Sequence, residues 1–252
     1  MTLPIIFYDI PSKLPNKAWS PNTWKTRFAL NIKGVPYKTE WVELPDIEAI
    51  ALTIGASPTG MRRNGNPFYT LPIIQDPNTG KVISDSFTIA EYLDATYPDR
   101  TTLFPAGTKA LIAAFEDEVQ RAREGMNFLQ MTLTCSLLNA PSEDFFRESR
   151  ERIFGKKLGE LSPAGEKRDA DLAMTKKKGF AILDNRLSKS HGRYVMDDII
   201  SFADVILGAW LLWIKNIQGA DSAVWKDVAS WNSGRWQARL KNLDKFIVVD
   251  TD

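Results

Sequence analysis

Four short stretches of the chain carry the side chains best suited to chemistry. In Trp19-Ser20-Pro21-Asn22-Thr23-Trp24-Lys25, two hydroxyls and an amide stand between two tryptophans at the head of an apolar-periodic run. Serine followed by proline is a favoured helix opening, so the stretch reads either as a helix cap or as a reaction site at a helix mouth. In Thr70-Leu71-Pro72-Ile73-Ile74 a proline occupies the first residue of an expected strand, where its missing N–H does no harm. In Ile83-Ser84-Asp85-Ser86 an acid and a hydroxyl precede a helical pattern; they can cap it, and the free N–H groups and positive dipole end there can hold a carboxylate. The fourth, Ile200-Ser201-Phe202-Ala203-Asp204, has the Ser-x-x-acid spacing of a capping box and reads as the fixed start of a buried helix.

Other chemistries lack their residues. The single histidine, His191, follows Ser190 and precedes Gly192 as a loop residue would; it offers no zinc cluster and no partner for a serine or cysteine nucleophile. No metal is therefore expected. The single cysteine, Cys135, permits no intrachain disulfide and lies in an apolar run, as a small core residue would. Neither G-x-G-x-x-G nor a P-loop string occurs. Lys and Arg total 32 against 31 Asp and Glu, so a net charge of +1 provides no field to draw the protein onto nucleic acid or anionic lipid. The compact apolar run 205–214 falls short of the ~20 residues that span a bilayer. With no basic start before a signal-type apolar core, the expectation is a soluble cytoplasmic protein.

Elements must position these stretches. At 252 residues and 44% hydrophobic content, the chain has room for one large domain or two modest ones. Residues 4–10 form a β-type run; 22–33 carry Trp24, Phe28, Leu30 and Ile32 at helical positions and stop at Gly34; 37–42 alternate like a strand; 45–52 read as a proline-opened helix. After a Gly/Pro/Asn-rich loop, 71–75 and 81–83 flank a turn as a hairpin, and 85–93 return to helical spacing. The order is βαβ, then ββα. From about Thr108 the pattern becomes helical throughout, with helices expected over 110–138, 142–153, 168–187 and 199–217.

Taken together, in this order and spacing, the run Ser20 to Leu30, Thr70-Leu71-Pro72, the run Ile83 to Leu93, and Ser201-Phe202-Ala203-Asp204 resemble the glutathione transferases over nearly the whole chain. The Ser-Pro-Asn-Thr-Trp-Lys string and the run before it are most similar to the etherase-like branch, which comprises the bacterial lignin β-aryl etherases and the fungus-specific class A transferases. The resemblance implies an α/β plus all-α architecture: a thioredoxin-like glutathione-binding domain over 1–97, a linker over 98–107, and an all-helical domain over 108–252.

It also implies site residues. Leu71 would pair its backbone with the glutathione cysteine across a cis peptide at Pro72, and Asp85 and Ser86 would hold the γ-glutamyl ammonium and carboxylate. Ser20 stands where the family places its thiol-activating residue. Extra residues over 11–19 leave the Asn22 amide and the Thr23 hydroxyl as alternatives, with Tyr8 behind them. An apolar pocket between the domains would be lined by Trp24, Phe68, Met126, Met131, Trp210 and Trp213. The implied function is a homodimeric serine-type transferase joining glutathione to hydrophobic aromatic electrophiles, with aryl-ether cleavage as a further reaction. The alternative is a ligandin-type protein that holds plant-derived phenolics in a glutathione-completed pocket and turns them over incidentally.

Overall fold

A strand with almost no polar side chain must be covered on both faces, and β1 (Ile5–Asp9, Ile-Ile-Phe-Tyr-Asp) is the inner strand that results. The computed structural model describes residues 3–250 and divides into two units. The first unit takes 3–103, 139–142 and 246–250; the second takes 104–138 and 143–245. The first unit therefore runs past the residue-97 boundary expected from sequence and recruits two later segments.

Within the first unit, α1 (Pro21–Lys33) leads to β2 (Tyr37–Trp41), which pairs parallel with β1. A short 3-10 turn opens α2 (Ile47–Thr53), followed by an exposed two-stranded ribbon of β3 (Gly60–Met61) and β4 (Pro67–Phe68) where the sequence suggested only loop. The hairpin of β5 (Ile73–Asp76) and β6 (Lys81–Ser84) then leads into α3 (Ser86–Thr96). The sheet order is β2-β1-β5-β6, with β5 antiparallel to both neighbours, so the expected βαβ-ββα order forms a thioredoxin-like unit. Helix α1 ends as its glycine demands: Gly34 takes φ +62°, and Val35 N–H closes onto the Leu30 carbonyl at 3.1 Å. Its last turn is tied to α3 by Lys33 Nζ donating to Asp94 Oδ1 at 2.8 Å.

In the second unit the helix expected over 110–138 is broken into α4 (Lys109–Ala122), a 3-10 turn at Glu124–Met126, and α5 (Asn127–Leu137). The break falls at Gly125, where a Cβ would collide with the Thr175 hydroxyl and stand 3.0 Å from the Asp171 carbonyl. Then come α6 (Ala140–Phe154), α7 (Leu158–Leu161) and α8 (Glu166–Met174). A π-helical stretch Thr175–Phe180 joins α8 to α9 (Ala181–Leu187); Gly179 there lies so close to the Ala122 carbonyl that no side chain would fit. Helix α10 (Phe202–Gln218) is buried from Phe202 to Ile214 and packs against α4, α5 and α11, as its nearly unbroken apolar sequence requires. Helix α11 (Ala223–Lys241) departs from helical geometry over Trp231–Gly234. The chain is thus an α/β unit followed by a helical one. Among the described residues no helix is long and apolar enough to cross a membrane.

Candidate functional site in the first unit

The register of the sheet gathers three of the four sequence stretches at one end. Tyr8 of β1 lies opposite Ile73 of β5, and Ile73 opposite Ser84 of β6. The end of β1, the start of β5 at Leu71-Pro72 and the end of β6 at Ser84 therefore share an edge. The Leu71–Pro72 peptide is cis, and the Pro72 carbonyl accepts from Asp85 N–H at 3.3 Å. Helices α1 and α3 both begin here, so two positive dipole ends open at this end of the sheet.

Ser20 holds the cap position of α1 with an extended backbone, and its carbonyl accepts from Trp24 N–H at 2.9 Å. Its hydroxyl makes no capping bond to the helix. With Pro21 lacking an N–H, the amides of Asn22 and Thr23 are first-turn donors without intrahelical acceptors. A hydroxyl beside two such amides is an arrangement that stabilises an anion. Thr23 is turned the other way: fully buried, it donates from Oγ1 to the Ser20 carbonyl at 3.1 Å. The Asn22 side chain faces solvent. Residues 11–19 fold into a tight loop pinned by Ser12 Oγ donating to the Lys17 carbonyl at 2.8 Å, which tucks Ala18 and Trp19 into the core and delivers Ser20 to the helix start. Tyr8 donates its hydroxyl to Gln75 Oε1 at 3.3 Å, and burial followed by the charge of Glu40 pushes its phenol pKa up, so it is held protonated.

Asp85 caps α3 from a strained backbone, φ +76°, with Oδ1 accepting from Phe87 N–H and Thr88 N–H, both at 3.0 Å. The residue is exposed, and the cap uses only its Oδ1; Ser86 beside it is buried. An acid and a hydroxyl at a helix start suit a zwitterion, the carboxylate of the protein meeting an ammonium and the donors meeting a carboxylate.

Of the aromatic and methionine residues expected to line a pocket, Trp24 and Phe68 belong to the first unit and Met126, Met131, Trp210 and Trp213 to the second. Trp24 is fully buried in the first unit, its indole donating to the Ala18 carbonyl at 3.3 Å and its ring 5.2 Å from Phe28. Phe68 is 44% exposed on the ribbon, with the Arg62 guanidinium 5.2 Å from its ring centroid. In the second unit Met126, Trp210 and Trp213 are buried and Met131 is half-buried. Cys135 is buried within α5, and His191 is exposed in a loop. The Ser201 N–H and hydroxyl both donate to Asp204 Oδ2, at 3.0 and 3.1 Å, fixing the start of α10. Among the described residues no group of His, Cys, Asp and Glu gathers as metal ligands.

One cluster is absent from the sequence-based expectations. Arg27, fully buried, bonds Asp9 Oδ2 at 2.8 Å, Asp250 Oδ1 at 2.9 Å and the Tyr37 hydroxyl at 3.1 Å, beneath the rings of Phe7, Trp24, Tyr37 and Trp41. Burial raises the Asp9 pKa, with Arg27 opposing it. Only the placement of a charge between Trp24 and Phe28, on the apolar side of α1, could have pointed to Arg27.

The chain matches two family models, the glutathione S-transferase N-terminal domain over residues 19–96 and the glutathione S-transferase C-terminal domain over 110–246. It is similar to a glutathione S-transferase of Ceriporiopsis subvermispora crystallised in complex with glutathione, at 44% identity and a TM-score of 0.95, covering 99% of this chain and 100% of that one. It is also similar to glutathione transferase GSTFuA3 of Phanerochaete chrysosporium, at 39% identity and a TM-score of 0.93 over the whole of both chains. The glutathione S-transferase-like protein ustS of Aspergillus flavus is 30% identical over 249 residues, 93% of this chain and 88% of that protein.

Proposed function

The chain belongs to the glutathione S-transferase family, and on that premise we propose that it is a serine-type enzyme in which the Ser20 hydroxyl holds the glutathione sulfur as a thiolate. Glutathione is its co-substrate. The observation that carries the serine assignment is the Ser20 hydroxyl left out of the helix cap beside the uncapped amides of Asn22 and Thr23.

The energetics are within reach of these groups. A thiol of pKa about 8.5 is only about 3% ionised at pH 7, and making it mostly anionic takes a shift of roughly two units, about 2.7 kcal/mol. A hydrogen bond to a charged acceptor contributes about 1.5–3 kcal/mol and a helix N-terminus about 0.3–1 more. Ser20 has no need to act as a base: the thiol proton leaves to solvent, and the hydroxyl donates to the sulfur that remains. That sulfur attacks an electrophilic carbon, forming the C–S bond as the leaving group departs with the bond's electron pair. A cysteine at this position would favour mixed disulfides; a serine leaves carbon as the target. Leu71 and Pro72 are assigned to the glutathione backbone, and Asp85 and Ser86 to its γ-glutamyl end.

The electrophiles are hydrophobic aromatic molecules, with aryl-ether cleavage as the reaction of the etherase-like, fungus-specific class A branch. The similarity to the two fungal transferases supports that branch. A cytoplasmic homodimer is the expected state, which light scattering checks. Replacing Ser20→Ala should lower turnover of a model aryl electrophile at pH 6.5 by at least about tenfold, with glutathione affinity held within a few-fold. An unchanged rate moves the role to Asn22 or Thr23.

A further inference from the structure

The outer edge of the sheet is closed by a remote segment of the same unit. β2 is the outermost strand, paired only with β1. Ile5 N–H donates to the Pro36 carbonyl and Val42 N–H to the Asp9 carbonyl, so even-numbered residues of β2 turn their peptide groups to β1. Those of Tyr37, Thr39 and Trp41 therefore turn outward. Such a row of N–H and C=O groups is a template on which another strand can pair.

The central donor of the row is already taken. Asp250 Oδ2 accepts from Thr39 N–H at 2.6 Å, while Oδ1 accepts from the Thr39 hydroxyl and, at 2.9 Å, from Arg27 Nη1. Asn31 Nδ2 donates to the carbonyls of Phe246 at 2.8 Å and Val248 at 2.9 Å, and the Tyr37 hydroxyl donates to Val248 at 3.3 Å. Residues 247–250 form no strand of their own, yet Thr39 is buried although it lies on the outermost strand.

The edge also fits a copy of itself. Two β2 strands laid antiparallel about Thr39 set Tyr37 opposite Trp41 and Lys38 opposite Glu40, each pair occurring twice. The outward peptide groups of 37, 39 and 41 then fall in the hydrogen-bonded pairs. Lys38 and Glu40, both exposed, fall in the pairs whose side chains stand closer. Opposite charges and aromatic rings facing each other in this way stabilise a strand pair. One Thr39 N–H cannot serve both Asp250 and a second strand, so the two states exclude each other.

We propose that the segment 246–250 is a releasable strap guarding a self-complementary edge: fastened, it keeps β2 from pairing, and released, it lets β2 join antiparallel to β2 of a second copy of this chain. This association is additional to any that the strapped protein makes, and it is independent of the role of Ser20.

Asp250→Ala in the full chain tests the strap, because it frees Thr39 and leaves Arg27 its bond to Asp9. In dilute solution, hydrogen exchange at the Thr39 amide should be at least about tenfold faster in the variant than in the wild type, and should slow again as the protein is concentrated. Carbodiimide coupling in a mixture of light and isotope-labelled copies should join Lys38 to Glu40 between copies in Asp250→Ala and not in the wild type. Adding Lys38→Glu sets like charges opposite and should weaken the self-association seen in sedimentation by at least about fivefold; adding Glu40→Lys as well should restore it. Retention on immobilised glutathione reports that the variants are folded. If Asp250→Ala does not fold, Asn31→Ala, which unfastens Phe246 and Val248 and keeps the ion pairs, should speed Thr39 exchange by at least about threefold. Thr39 exchange unchanged in both variants, exchange that stays fast at every concentration without Lys38–Glu40 coupling, or association that the charge swap does not restore overturns the proposal and leaves 246–250 as a fixed brace.

Discussion

Asp85 is given two tasks with one carboxylate. Oδ1 accepts from Phe87 and Thr88 to start α3, while the charge is assigned to the glutathione ammonium. Asparagine separates the tasks: it retains an acceptor oxygen, and it is among the residues that best tolerate positive φ, which Asp85 adopts at +76°. Asp85→Asn should therefore change stability by less than about 1 kcal/mol in thermal unfolding while weakening glutathione binding about tenfold. Equal binding by the two proteins would restrict Asp85 to its cap. The roles of Ser20 and Asp85 as helix starts were legible in the sequence because a cap is a local device, written within three or four residues. That the Ser20 hydroxyl stays out of its cap is a matter of rotamer and surroundings, which no spacing encodes.

At the scale of elements, α10 shows how a polar start is fitted to a buried helix. Asp204 accepts from Val195 N–H and from both donors of Ser201, yet burial, opposed by those bonds and by Arg239, raises its pKa to about 6. The folded protein thus keeps this proton up to about pH 6, whereas the unfolded chain releases it near about pH 3.9. Between those values the folded state binds more protons, so the stability linked to this group is fully present below about pH 4 and is lost as pH rises through about 6. Asp204→Asn carries a constant cost and no titration. The stability of the wild type relative to Asp204→Asn should fall by about 3 kcal/mol between about pH 4 and about pH 7 in urea unfolding, and a difference independent of pH would contradict this origin. The Ser-x-x-Asp spacing announced the helix start; its titration follows from burial, which the sequence only suggested through the apolar run behind it. The break at Gly125 was less legible, because its cause is the close approach of Thr175 and Asp171 from a distant stretch. The same holds for α11, whose interruption at Trp231–Gly234 blurs its periodicity.

Over the whole molecule, the order βαβ-ββα and the change to helices were readable because period and turn chemistry are properties of neighbouring residues. Contacts between remote segments were not. Asp250 binds Arg27 and accepts from Thr39 N–H at 2.6 Å, and the carbonyls of Phe246 and Val248 accept from Asn31 Nδ2, so the segment 246–250 is fastened to the unit that begins the chain. The buried Arg27 guanidinium, between the carboxylates of Asp9 and Asp250, anchors α1 to β1 and to the segment 246–250. The proposed function ties this fold to one chemical requirement, a glutathione sulfur kept anionic at the mouth of α1. The most direct measurement is the titration of that sulfur in the complex, followed by thiolate absorbance in the wild type and in Ser20→Ala. The wild type should ionise it roughly two units below the about 8.5 of an ordinary thiol, and Ser20→Ala should return it most of the way. A bound sulfur that titrates like the free one, or a lowered value that survives loss of the hydroxyl, would contradict the account.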